Sequence, residues 1–307
     1  MTAIGTAPAE HDRPAEPRRG RTVAWLAALL PLAVLAALPA WHNIAGLATR
    51  SAEYSHMLLV PPLAVFLLWQ RRSRLAAAPV RASMLGVAMA ALGVAMDFAG
   101  FASQIDLLSH LGMVMLLVAP VVAVLGWRWP LAALPAFGVL LFLIPVPGRL
   151  RQQIALPLQD ASAGITRVLL DIFGVPVTQA GNVLQINGVD VAVAEACNGM
   201  RMVLALALVA YAFVFTVNLR PWAKIAVLAA SPLIAVVVNV VRLVPTTLFY
   251  GYADRDVADA AHDISGWLVL GVALGILWTL LALARWLELP IENRASHSTE
   301  PRSPATR

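Results

Sequence analysis

The chain has 307 residues, 60% of them hydrophobic and 13% charged, with a net charge of +5 and a mean hydropathy of +0.77. Soluble domains carry about 25% charged residues, so this composition excludes an ordinary water-soluble globule and requires a membrane. A pI near 10.1 raises nucleic acid as a partner, but the bases are dispersed among the connections between apolar runs, which argues for no nucleic acid.

Residues 1–22 are polar and rich in Pro and Ala, and read as a disordered cytoplasmic tail. The apolar run behind them is long enough to span, and no small-residue cleavage site follows it, so it is not a cleavable signal peptide. A spanning helix needs roughly 20 apolar residues. Runs at about 23–40, 54–70, 82–100, 107–125, 130–146, 199–218, 222–244 and 264–286 qualify, giving an eight-span membrane domain over 23–290. The second run is short and carries Pro61-Pro62, so a kinked or partly re-entrant segment is the alternative there. Residues 291–307 form a second polar tail.

Arg13, Arg18, Arg19 and Arg21 precede the first run, and Arg71, Arg72, Arg74 and Arg81 separate the second from the third. Arg128 lies before the fifth run, Arg220 and Lys224 border the seventh, and Arg285 and Arg294 close the eighth. Alternate connections hold most of the base, which is the positive-inside pattern and puts both termini in the cytoplasm. Trp25, Trp41, Trp69, Trp127, Trp129 and Trp222 sit at run ends, where they suit interfacial belts.

The longest outer connection, 147–198, reads as an extracytoplasmic insert. Leu150, Ile154, Leu158, Ile165, Val168, Leu169 and Ile172 recur near helical spacing, as in amphipathic helices lying on the membrane face. The following VTQAGNVLQINGVDVAVAEA alternates loosely, and Asn187-Gly188 is a strong two-residue hairpin signal. The expected fold is therefore an all-α polytopic membrane protein of about eight transmembrane helices, with a small amphipathic-helix and β-hairpin insert.

Counting spans brings three reactive residues to one depth. Cys197, the only cysteine, opens span six in AEACNGMR; Arg242 ends span seven in VVNVVRLVP; His262 precedes span eight in DAAHDISGW. Each has a plain reading as well. A lone thiol in a membrane protein is commonly small apolar filler, an arginine near a span end commonly snorkels, and a loop histidine commonly does nothing. Against filler, a helix N-terminus and a nearby cation such as Arg201 lower a thiol pKa, and the thiolate is the nucleophile. Against snorkelling, an ionisable residue in an apolar run is costly and defaults to a functional reading. Asn239, one turn before Arg242, is placed to orient the guanidinium. Glu195 either pairs with an arginine or is a solvated strand end, and Asn198 shares the cysteine segment. Asp263 reads as a helix-start residue. His42, His56 and His110 are rival histidines, and Asp97, Arg149 and Arg167 are lesser candidates. No P-loop, GxGxxG or zinc-type cysteine pair occurs, so no cofactor and no metal are expected.

EACNGMR, NVVR and HDISG, in that order at three successive span ends, resemble the exosortase/archaeosortase family. The resemblance covers roughly 40–290 and leaves the tails outside. It implies a cysteine protease or transpeptidase of the bacterial inner membrane with its active site on the extracytoplasmic side. Such enzymes cut a C-terminal sorting signal made of a short motif such as Pro-Glu-Pro, a transmembrane helix and a basic cluster. Exported proteins bearing that signal are the implied substrates, and a membrane lipid or surface glycan the implied acceptor. By the same resemblance Cys197 is the nucleophile, Arg242 the stabilising cation and His262 the general acid and base. The histidine places the chain on the bacterial branch. The competing class is a non-enzymatic polytopic subunit of a lipid or exopolysaccharide export system, in which the arginines bind an anionic headgroup and Cys197 is incidental.

Overall fold

The computed structural model describes residues 16–193 and 199–295. The elements run α1 (Glu16–Ala36), α2 (Leu38–Arg50), a 3-10 segment (Ala52–Leu59), α3 (Val60–Gln70), α4 (Arg72–Ala77), α5 (Met84–Ser103) and α6 (Asp106–Leu125). There follow α7 (Arg128–Ala132), α8 (Leu134–Gly138), a second 3-10 segment (Val139–Leu143) and α9 (Gly148–Ile172). Strands β1 (Val177–Ala180), β2 (Val183–Ile186) and β3 (Val189–Ala192) precede α10 (Gly199–Thr216), α11 (Pro221–Tyr252) and α12 (Arg255–Ala295). The chain is an all-α polytopic membrane protein carrying one small sheet.

Among the described residues, four helices are long and apolar enough to cross a bilayer, and up to six if each of two bent pairs is one crossing. The long helices are α5, α6, α11 and α12. The eight apolar runs thus resolve into these four, two bent pairs and two shorter segments. Proline accounts for much of the breakage. Pro61-Pro62 splits the second run and begins α3, where a missing N–H is harmless. The fifth run breaks into α7, α8 and the second 3-10 segment, and the chain then turns by 92° into α9. α1 begins at Glu16, ahead of the border expected at residue 23.

The described residues form two compact units, 16–41 with Arg74–Ala132, and His42–Ser73 with 133–193 and 199–295. In the first, α5 and α6 are antiparallel and joined through Gln104, which takes the left-handed conformation at φ 57°. Gly86, Gly93 and Gly100 lie seven residues apart on α5 and are all buried. A Cβ at Gly86 would collide with the backbone of Ala123, and one at Gly100 with that of Ser109. Small residues at this spacing let two helix backbones approach closely, which is how apolar helices associate where water supplies no hydrophobic drive. Asp97 accepts a hydrogen bond from Ser109 across the same seam, so this acid has a structural partner. The outward faces carry Met84, Phe98 and Phe101 fully or largely exposed, as lipid-facing helices require.

In the second unit α10, α11 and α12 form a bundle. Leu206, Ala210 and Val214 of α10 pack with Val227, Ile234 and Val238 of α11 and with Val269, Ala273, Leu277 and Leu281 of α12. The four-residue steps on α10 and α12 keep each set on one helix face. Pro232 removes a donor inside α11, and the Ser231 hydroxyl bonds the Leu228 carbonyl that the proline leaves free. The link between α10 and α11 is short, as the sequence predicts. The link between α11 and α12 is not. A connection of about twenty residues was expected over 245–263, yet only Ala253 and Asp254 separate the helices. Helical propensity continues through LFYGY and DVADAAHD because packing of two long antiparallel helices outweighs their polar residues.

The insert also differs from expectation. One 25-residue helix, α9, takes the place of several, and a three-stranded antiparallel meander in the order β1-β2-β3 takes the place of a hairpin. Asn187 and Gly188 do form the predicted tight turn, with φ of 50° and 76°, the primed geometry that matches strand twist. A second such turn, with Gly181 at φ 58°, adds the strand that loose alternation concealed. One face of the sheet buries Val177, Leu184, Ile186 and Val191 against Ala163 and Leu170 of α9 and Leu243 of α11. The Asn187 side-chain amide donates to the Gly251 carbonyl at 3.0 Å, which ties the turn to the end of α11.

Replacing Gly86 by Ile should destabilise the α5–α6 pair by about 1–3 kcal/mol, the usual range for overpacking. Gly271→Ala, where a Cβ meets nothing within 4 Å, should leave stability unchanged. Thermal unfolding of the detergent-solubilised variants measures both.

Candidate active site

Arg242 lies between exposed Val241 and fully buried Leu243, so its side chain leaves α11 at the edge of an apolar bundle. A guanidinium there costs about 2.5–3.5 kcal/mol when unpaired at bilayer depth and must reach an acceptor. Its Nη2 lies 3.0 Å from Nε2 of His262 on α12. Arginine has only donors, so His262 accepts at Nε2 and the proton of its neutral ring sits on Nδ1. The two-residue link makes this contact, since it lays the second turn of α12 against the late turns of α11. Gly266, one turn after His262, faces the guanidinium: a Cβ there would stand in ordinary van der Waals contact, 3.5 Å from Arg242 Nη2.

Both residues keep capacity in reserve. Arg242 Nε and His262 Nδ1 are buried with no hydrogen-bond partner among the described residues. Asn239 Oδ1 is in the same condition, but its surroundings differ. It lines a small pocket with Leu158, Gln159 and Ser162 of α9 and Val203 of α10, and no bond joins it to Arg242 among the described residues. Asp263 is exposed beside His262. Arg201 belongs to the first turn of α10. Cys197, Glu195 and Asn198 lie outside the described residues.

His262 forms part of the wall of a cavity of about 400 Å3, with Asp190 and Ala192 of β3 and Tyr250, Arg255 and Ala258 from the α11–α12 turn. The Tyr250 hydroxyl donates to Asp259 at 2.6 Å, and its ring centroid is 6.4 Å from that of His262. This bond staples the helix turn beside the histidine. Sequence reasoning missed Tyr250 and Asp259, because nine residues apart they meet only if the intervening chain is helical on both sides. The rival histidines stand elsewhere. His56 is buried and bonded through Nδ1 to the Glu53 carbonyl, His42 is exposed on α2, and His110 is buried on α6 in the first unit. Glu53 pairs with Arg151, another contact with no sequence signal. Ser265 is not free as a nucleophile, since its hydroxyl bonds the His262 carbonyl at 2.7 Å.

The model of the transmembrane exosortase family (Exosortase_EpsH) matches residues 41–279, well over half of the chain and all of this site. The chain belongs to that family. Comparison with curated proteins and with solved structures gave no match. Membership in the exosortases supports a membrane-embedded sorting transpeptidase in general terms.

The Arg242–His262 contact should appear as energetic coupling in this exosortase. Arg242→Met and His262→Phe should each destabilise, and the double variant should cost less than their sum by about 1.5–3 kcal/mol, the range for a hydrogen bond to a charged group. Equilibrium unfolding of the four proteins in mixed micelles measures the coupling.

Proposed function

We propose that this exosortase is a cysteine transpeptidase that cleaves the C-terminal sorting tail of exported proteins at the outer face of the bacterial inner membrane. The observation that carries the reading is the pairing of Arg242 with His262, the latter on the wall of a cavity that β3 also lines. Ala192 of that wall is five residues before Cys197 in the sequence, and Met202 and Val203 beyond it pack on the α10–α12 bundle. Both flanks of the cysteine segment are thus anchored to the elements that hold the pair.

The chemistry follows from the bond between the two side chains, which the substrate carbonyl displaces. Arg242 exchanges its bond to His262 for the oxygen of the scissile carbonyl, which frees His262 Nε2. The Cys197 thiol passes its proton to that nitrogen as sulfur attacks the carbonyl carbon. The tetrahedral oxyanion is held by the guanidinium, and the C–N bond then breaks as the imidazolium protonates the departing amine. The thioester is attacked by an amine or hydroxyl of the acceptor, a membrane lipid or surface glycan, whose proton returns to His262 as the thiolate leaves. Glu195, Asn198, Arg201, Asn239 and Asp263 are assigned supporting roles around this centre. A site at the outer span ends suits a substrate whose own helix lies in the bilayer with its cleavage motif just above it.

A secreted reporter ending in Pro-Glu-Pro, a transmembrane helix and an arginine cluster tests the reading. Co-expression with the wild type should shorten it, and Cys197→Ala should leave it intact. Arg242→Lys should slow the cleavage about 10²-fold or more, because a point charge does not replace the planar donor fork at an oxyanion. Mass spectrometry of the new C-terminus separates transfer from hydrolysis. Equal shortening by wild type and Cys197→Ala would remove the nucleophile, and shortening by neither would favour the export-subunit reading.

A further inference from the structure

Four consecutive residues of β3, Val189, Asp190, Val191 and Ala192, line the cavity that His262 shares. Side chains alternate between the faces of a strand, so a cavity lying over one face would touch every second residue. A cavity lined by all four faces the strand's edge. Among the described residues β3 is the last strand of the sheet, paired with β2 alone. Its register pairs Ile186 with Val189 and Gln185 with Asp190.

A two-residue turn closes on a hydrogen-bonded pair. Val189 and Val191 therefore spend their N–H and C=O groups on β2, and Val193 continues the alternation by donating to the Asn182 carbonyl at 2.9 Å. Asp190 and Ala192 are the pair left over. Their N–H and C=O groups point away from β2, toward the cavity, and no backbone bond engages them among the described residues. Two residues with four outward main-chain groups form a template for one more strand.

We infer that the substrate segment to be cleaved binds as an added strand on the free edge of β3, held by the main chain of Asp190 and Ala192 and directed along the cavity toward His262 and Arg242. This rests on the peptidase reading above and adds how the peptide is held. Backbone pairing of this kind supplies affinity that does not depend on side chains, so it positions the scissile bond while leaving the choice of motif to the cavity walls. The unpaired edge is otherwise a liability, since bare strand edges invite association with other chains. Here the end of α11 and the start of α12 restrict access to it.

Proline at 190 separates edge from ladder. Asp190→Pro removes an outward N–H and places a ring in the path of an incoming strand, yet it spares the bonds to β2. Asp190→Ala keeps the N–H and removes only the carboxylate that accepts from Gln185 at 2.9 Å. With the reporter described above, kcat/KM of Asp190→Pro should fall about tenfold or more below that of Asp190→Ala, the two variants differing in the outward N–H and lacking the carboxylate alike. The rate of Cys197 alkylation by iodoacetamide should match the wild type in both, which establishes an intact site. In a synthetic peptide of the reporter's cleavage region, single N-methylation should raise KM at every second residue. Cysteine-dependent cleavage that Asp190→Pro leaves unchanged, or N-methylation without alternation, overturns strand pairing and spares the peptidase reading. Cleavage that survives Cys197→Ala overturns the reading beneath it.

Discussion

A guanidinium at the edge of an apolar helix bundle has to find an acceptor, and that requirement organises the second unit of this exosortase. Arg242 meets it with His262 at 3.0 Å, twenty residues along the chain but on the adjoining helix. The contact is possible because α11 and α12 are joined by only Ala253 and Asp254. A longer link would let the helices slide. One helix register therefore satisfies the charge, and the same register sets His262 at the rim of a cavity.

The small sheet extends that geometry beyond the bundle. It is too small to be stable alone, since four-residue strands need a partner surface. Leu184, Ile186 and Val191 find one on α9 and on Leu243, the residue that follows Arg242 in α11. The same short segment of α11 thus supports the sheet with Leu243 and offers the guanidinium with Arg242. Asn187 closes the arrangement by bonding Gly251 near the far end of α11. The edge of β3 and the ring of His262 are held to a common element, which is what a site that must align a peptide with a proton carrier requires.

The two units pack by different rules. In the first, glycines at seven-residue spacing bring α5 and α6 backbones together, and dispersion across that seam does the work. In the second, larger aliphatic side chains at four-residue steps fill the space between three helices. The wider spacing of the second kind leaves room for longer polar side chains such as Asn239 and Arg242, whereas the glycine seam holds the short pair Ser109 and Asp97.

Hydropathy and charge placement alone determined that the chain is a polytopic helical membrane protein, because bilayer thickness dictates run length. The Asn187-Gly188 turn was equally legible, since few dipeptides accept two positive φ values in succession. The order EACNGMR, NVVR, HDISG pointed to the family before any coordinates. Tertiary structure decided what periodicity cannot encode. The segment 245–263 reads as a polar loop but is helix, since packing against a neighbour outweighs local composition over a few turns. The first strand of the meander was hidden because its alternation is weak until β2 pairs with it. The break of the fifth run and the Tyr250–Asp259 bond likewise depend on what the chain packs against. Spacing specifies which residues share a face. Only the packed neighbour decides what that face meets.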